Sequence, residues 1–474
     1  MEKVTDLDKI SMEKRHLNEV FSGKSGMLKR KIDYYIQKFY DESRNALLVT
    51  GARQIGKTFS IRQFGKTFES FIEINFIETP KAIEIFQNAT SAKDILFRLS
   101  AFTDKPLIEG KTLIFFDEVQ KCPEIVTAIK FLVQEGSYRY ILSGSLLGVE
   151  LKDLRSEPVG YMGIKEMFPL DFEEFISCLG VNENVIASLR EAWESRSPVN
   201  DFIHSKLMEL FRLYLVVGGM PAAVMSYIDT NNLQRVLAVQ EDIIRLYKRD
   251  IAQYDPDNKL SIEEIFELIP PELSAMNKRF ILKRLNENAK FERYQNSFLW
   301  LKNAGVAVPV YNVEEPKIPL LLSRSRNLFK LFQSDVGLLA AQYADGIQLK
   351  IITGDKNINF GSVYENAVAQ ELIAHWITPY YFNNKKQGEL DFVIELNGTV
   401  LPLEVKSGKD FTSHRALNNV LGNPEYGINE AIVFNNENLK VNGNVIYAPI
   451  YMVMFLERKT LPVLHYKVDL SGLV

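Results

Sequence analysis

The chain has 474 residues, 46% apolar and 24% charged, with 56 Lys plus Arg against 60 Asp plus Glu and a net charge of −4. That length admits about three domains, and the balance excludes a disordered chain, a fibrous repeat and a disulfide mini-protein. Cys122 and Cys178 form no CxxC pair, and the histidines lie too far apart for HExxH or zinc-finger spacing. Any metal should therefore be a hard, oxygen-bound ion.

Residues 1–26 alternate charges around no apolar core, so they are expected to be a polar leader and not a signal peptide. The longest uncharged runs, Leu213–Ile228 and Val441–Leu456, are too short to span a bilayer. No membrane partner and a cytoplasmic location are expected. Residues 27–40 carry apolar positions at helical spacing, and Ala46–Thr50 (ALLVT) then reads as a buried strand. Further strands are expected at Phe71–Phe76, Thr112–Phe116 and Tyr138–Ser143, with helices between them. This alternation predicts a parallel α/β sheet. Asp171–Leu179 and residues 203–254 read as helical, broken at Gly218–Pro221.

Between the first strand and its helix lies Gly51–Thr58, GARQIGKT, a match to G-x-x-x-x-G-K-[ST]. Gly51, Ala52, Arg53, Gln54, Ile55 and Gly56 would wrap backbone N–H groups around phosphate oxygens. Lys57 would reach the β- and γ-phosphates, and Thr58 would ligate Mg²⁺. The strand at Thr112 runs into Asp117-Glu118. Asp117 is expected to hold the metal, and Glu118 to act as general base on the attacking water. Ser143 or Ser145, at the end of the next strand, would sense the γ-phosphate. ATP and Mg²⁺ are the expected cofactors.

The loop, with DEVQKCPE (117–124), LSGS (142–145), FPLDFEEF (168–175), VVGGMP (216–221) and ELDFVIE…PLEVKSG near the C-terminus, resembles a group of prokaryotic AAA+ ATPases of uncharacterised role. The resemblance covers residues 27 to about 460. It implies an AAA+ core at 27–175, a helical lid at 176–254, a winged-helix-like segment at 255–345 and a PD-(D/E)XK nuclease-like domain at 346–474. One departure stands out: where such proteins commonly carry Gly-Arg, this chain has Gly160-Tyr161. An arginine finger is missing there; Arg155 lies nearby as a candidate substitute, with a plain surface arginine as the alternative. The oligomeric state stays open, a homo-oligomer included.

Residues 278–293 hold six basic and two acidic side chains and read as a helix, with a strand hairpin near Val306–Val313 behind it. That order is the one a winged helix would show, and the basic excess makes DNA a candidate partner. Further on, Glu365 on a helix precedes Asp391, Glu404 and Lys406 on strands, in the order Glu…Asp-x₁₂-Glu-x-Lys. Glu365, Asp391 and Glu404 are the expected metal ligands, and Glu404 and Lys406 share one strand face. Asp391, Glu404 and Lys406 would be the catalytic set of a metal-dependent nuclease. The expected function is an ATP-hydrolysing protein that couples nucleotide state to this domain. The alternative is a regulatory switch ATPase whose C-terminal domain is inactive and binds DNA or protein.

Overall fold

A computed structural model describes residues 28–145, 160–254, 259–275, 277–288, 290–355, 360–408 and 410–459, with Val468. The leader at 1–26 and Arg155 lie outside the described residues. Strands are numbered in chain order over what is described.

The N-terminal sheet contains β1 (Ala46–Thr50), β2 (Ser70–Asn75), β3 (Thr112–Asp117), β4 (Arg139–Ser143) and β5 (Met162–Glu166). Their order is β2-β3-β4-β1-β5, and every pairing is parallel. All six residues of β3 are buried, as expected of a strand covered on both faces. Helices Lys57–Gly65, Ala92–Phe102 and Pro123–Glu135 make the crossovers. The last starts with Pro123 in its first turn and stops at Gly136, whose φ is 85°. Because all strands run the same way, the ends of β1, β3 and β4 meet along one edge of the sheet. The alternation of strands and helices did not reveal β5. Its register with β1 runs from Ala46↔Met162 to Thr50↔Glu166, which carries Met167 to the loop after β1.

Helices follow at Phe172–Cys178, Glu183–Glu194, Asp201–Val217, Pro221–Thr230, Leu233–Tyr254 and Lys259–Ser274. Asp171 caps the first of them, accepting from Glu174 N while the Glu174 side chain returns to Asp171 N. Gly218 and Gly219 break the helical run where two segments meet. A Cβ on Gly219 would stand 2.1 Å from Leu170 O, so only glycine fits.

The second sheet contains β6 (Ala307–Val313), β7 (Arg324–Gln333), β8 (Tyr380–Asn384), β9 (Gly388–Leu396), β10 (Thr399–Val405), β11 (Ala431–Asn435), β12 (Lys440–Asn442) and β13 (Val445–Pro449). Their order is β12-β13-β11-β10-β9-β8-β6-β7. Two expectations about the middle of the chain are corrected here. Residues 278–288 are not helical beyond a 3-10 turn at Leu282–Arg284, and the helix begins at Phe291. Phe280 N donates to Phe329 O at 3.0 Å, and the Phe280 ring packs on Phe298 and Phe329. This tertiary anchoring overrides the helical pattern. The β6–β7 hairpin is not the wing of a separate unit either, because β6 pairs in parallel with β8 (Tyr311↔Tyr380) and extends the C-terminal sheet.

One continuous apolar cluster runs from Ile32 through Phe172, Phe211 and Leu301 to Leu456. It packs the N-terminal sheet, the helices and the second sheet into one body. No helix among the described residues is long and apolar enough to cross a membrane.

Candidate functional site

The loop between β1 and its helix is shaped by contacts as well as by glycine. A Cβ on Gly51 would lie 2.2 Å from Met167 O, so the residue just after β5 enforces glycine there. Gly56 sits at φ 95° and Gln54 at φ 65°, bringing the loop round to the N-terminus of helix Lys57–Gly65. Arg30 braces it from behind, donating to Ile55 O at 3.0 Å, Phe168 O at 2.8 Å and Glu174 at 3.1 Å. Ala52 touches the segment before β6: a Cβ on Gly305 would stand 3.1 Å from Ala52 Cβ. Lys57 Nζ is buried and donates to Gly51 O at 2.9 Å and Ala52 O at 2.7 Å. Burial pulls its ammonium down to about 8, against the opposing pull of Glu118 and Asp117.

At the ends of β3 and β4 the polar groups converge. Thr58 Oγ1 donates to Asp117 Oδ2 at 3.0 Å, Asn75 Nδ2 donates to the same oxygen at 3.2 Å, and Ser143 Oγ donates to Asp117 Oδ1. Burial raises the Asp117 carboxyl above its ordinary value. Glu118 adopts a left-handed backbone, φ 57° and ψ 45°, which costs on the order of 1–3 kcal/mol in a non-glycine residue. Its carboxylate accepts from Gln120 Nε2 and, at 3.3 Å, from Ser145 Oγ. Ser143 thus faces Asp117, whereas Ser145 lies beside Glu118. Thr58 and Asp117 offer hard oxygen donors side by side, a fit for Mg²⁺.

Arg53 was expected in the loop, but its side-chain partners and several other participants went unread in the sequence. Arg53 Nη1 pairs with Asp250 of helix Leu233–Tyr254 at 2.6 Å, its Nε reaches Ser145 Oγ at 3.4 Å, and Arg53 O accepts from Tyr247 OH at 3.2 Å. Asn75 ends β2 and Gln120 follows β3, and only that position hinted at a role. Tyr161 precedes β5 at the end of the sheet away from the loop. Its hydroxyl accepts from Gln134 at 2.8 Å, and Lys130 sits 5.4 Å from its ring centroid.

The C-terminal residues also gather. Glu365 is buried on helix Gly361–Ala374, Asp391 lies on β9, and Glu404 lies at the end of β10 with Lys406 just beyond. Asp391 Oδ2 accepts from Val405 N at 2.9 Å, and Lys406 Nζ donates to Glu404 Oε1 at 2.8 Å. Burial first, then the Asp391 charge, pushes Glu404 up to about 8 and also raises Glu365. Glu404 Oε2 is buried with no hydrogen-bond partner.

Two further charges enter this site from other segments. Lys278 donates to Glu365 Oε1, and Lys330 on β7 stands 3.7 Å from Glu365 Oε2 and 3.0 Å from Glu389 Oε1. The signal for Lys330 was a lone lysine inside the apolar run LFKLF. Among the described residues, no three His, Cys, Asp or Glu side chains form a ready metal-ligand group.

Residues 43–176 match the family model described as an AAA domain. The N-terminal part of the chain carries an AAA-type P-loop ATPase domain. Residues 208–349 and 360–452 match two further models, each described as a domain of unknown function, DUF8612 and DUF4143. Comparison with curated proteins finds no match. Among solved structures, the Walker-type ATPase of Pyrococcus abyssi is 13% identical over 67% of this chain and 96% of that one, with a TM-score of 0.41. The Aeropyrum pernix ORC1 protein in complex with DNA is 11% identical over 71% and 95%, at 0.27. The Thermotoga maritima RuvB Holliday junction branch migration motor is 11% identical over 62% and 91%, at 0.27. The domain assignment rests on the family match and the loop geometry, not on these distant likenesses.

Proposed function

We propose that this chain hydrolyses ATP at the Gly51–Thr58 loop and couples nucleotide state to a nuclease-like site on β9 and β10 that acts on DNA. The observation that carries the first half is the hydrogen-bonded row Thr58, Asp117 and Ser143, with Glu118 beside it. Lys57 would give up its two carbonyl partners for phosphate oxygens. Glu118, oriented by Gln120 and Ser145, would take the proton of the attacking water. Bound Mg²⁺, held by Thr58 and Asp117, would supply charge neutralisation on the phosphates.

The test is ATP turnover and nucleotide binding in two variants. Lys57→Ala should lose ATP binding, and Glu118→Gln should bind ATP but turn over at least about 100-fold more slowly. Wild-type rates in both would remove the assignment.

For the C-terminal half, Asp391, Glu404 and Lys406 support a metal-dependent phosphodiesterase, with the unpartnered Glu404 Oε2 as a donor for a hard cation. Asp391→Ala should abolish Mn²⁺- or Mg²⁺-dependent cleavage of plasmid or linear DNA. A specific observation favours the second reading, a switch ATPase with an inactive C-terminal domain: Lys278 and Lys330 already neutralise Glu365. Absence of cleavage by the wild-type protein, with ATP and either metal, would select that reading.

A further inference from the structure

The C-terminal carboxylates are balanced by cations of unequal mobility. Glu365, Glu389, Asp391 and Glu404 face Lys278, Arg279, Lys330 and Lys406. Lys330 is fixed: its side chain is 0% exposed, it lies between Glu365 and Glu389, and its ammonium sits 5.1 Å from the Tyr381 ring centroid. Lys278 is held differently. Its side chain is 21% exposed, and it sits on a left-handed residue, φ 50°, in the stretch between helix Lys259–Ser274 and the turn at Leu282. Its flexible stem can swing outward without disturbing a strand.

We infer that Lys278 is a tethered cation that occupies the Glu365 corner of the C-terminal site and must leave before a divalent metal ion can take Glu365 as a ligand. This rests on the metal-site reading of Asp391 and Glu404 proposed above. Two observations carry it. The Glu365 carboxylate is turned to the lysines, with Lys278 on Oε1, so the carboxylates do not stand as a ready ligand set among the described residues. Meanwhile the buried Glu404 Oε2 faces the same site with no hydrogen-bond partner. A buried carboxylate needs a compensating charge, and the ammonium supplies one when no metal is bound. A tethered group competes at a high effective concentration, so the metal must outbid it.

The test is Mn²⁺ binding to the full chain without nucleotide, by calorimetry and by electron paramagnetic resonance of the free ion. Subtracting the signal of Asp391→Asn isolates the C-terminal site from the phosphate loop. Lys278→Met and Lys278→Gln should each bind Mn²⁺ at least about tenfold more tightly than wild type, and Lys278→Arg, which keeps the charge, should stay close to it. Either neutral variant suffices if the other fails to fold. If wild type and both neutral variants bind equally, or the variants bind more weakly, Lys278 is not a plug while the metal-site reading stands. If no form binds Mn²⁺ in an Asp391-dependent way, the metal-site reading falls and the plug falls with it.

Discussion

Lys57 makes a quantitative prediction about how ATP affinity varies with pH. In the nucleotide-free protein its ammonium is buried against Gly51 O and Ala52 O, and burial pulls it down to about 8. A polyphosphate in the loop would restore the charged form, so binding above pH 8 takes up a proton. The charged fraction in the free protein is about 0.9 at pH 7 and about 0.1 at pH 9. The ATP dissociation constant should therefore rise about tenfold across that interval, or about 1.4 kcal/mol. A phosphate ester loses its second proton near pH 6, so the ligand contributes little above pH 7.5. The assay is anisotropy of a fluorescent ATP analogue from pH 7 to 9.5 at fixed Mg²⁺ and ionic strength. Calorimetry in two buffers of different ionisation enthalpy counts the proton directly. Lys57→Arg, charged throughout, should give a flat profile if it binds. Constant affinity and no proton uptake in the wild-type protein would refute the reasoning.

Other outcomes follow from the same contacts. Gly219→Ala would push a Cβ to 2.1 Å from Leu170 O and strain the 2.7 Å bond from Leu170 N to Gly219 O, at a cost of about 3 kcal/mol; an unchanged thermal midpoint would contradict it. Burial pushes Asp335 up to about 6 and Glu371 up to about 7, and Asp171 raises His375 against its burial. Between about pH 4 and 7 the folded chain thus binds more protons than the unfolded one, and stability falls as pH rises through that window. The unfolding free energy from urea titration should be higher at pH 5.5 than at pH 8, by on the order of 2 kcal/mol, and the reverse order would be decisive against it. Asp250→Ala removes the carboxylate 2.6 Å from Arg53, so amides near Asp250 should exchange faster and ATP should bind a few-fold more tightly; unchanged exchange would show that the pair does not tie the loop to that helix.

Where chemistry and period coincide, the sequence was readable. ALLVT is β1 residue for residue, and the other three expected strands of the first sheet appear within a residue or two of their expected ends. Local patterns specify β1, β3 and β4 because both faces of each strand are buried, and β2 because its buried residues alternate. Elements set by partners were not readable. MGIKE (162–166) has no buried residue, and it is a strand only because β1 offers its edge. The basic stretch after Lys278 has helical spacing, yet the Phe280–Phe298–Phe329 cluster pulls it onto β7. The site followed the same rule. Lys57, Thr58, Asp117 and Glu118 stand in contiguous motifs, whereas Asp250, Lys278 and Lys330 reach their carboxylate or guanidinium partners across 197, 87 and 35 residues.

The pairing of β6 with β8 also bears on what can be inherited or expressed as a unit. A cut between residues 345 and 346 would leave residues 346–474 without β6 and β7. β8 would stay paired with β9 but lose β6 from its other edge, exposing a row of backbone donors and acceptors that invites association with other chains. The same cut would strip Lys278 and Lys330 from Glu365 and Glu389, leaving buried carboxylates uncompensated. A transplantable C-terminal cassette must therefore begin upstream of Lys278, so that it keeps both lysines and the β6–β7 hairpin with the carboxylates and the strand they serve.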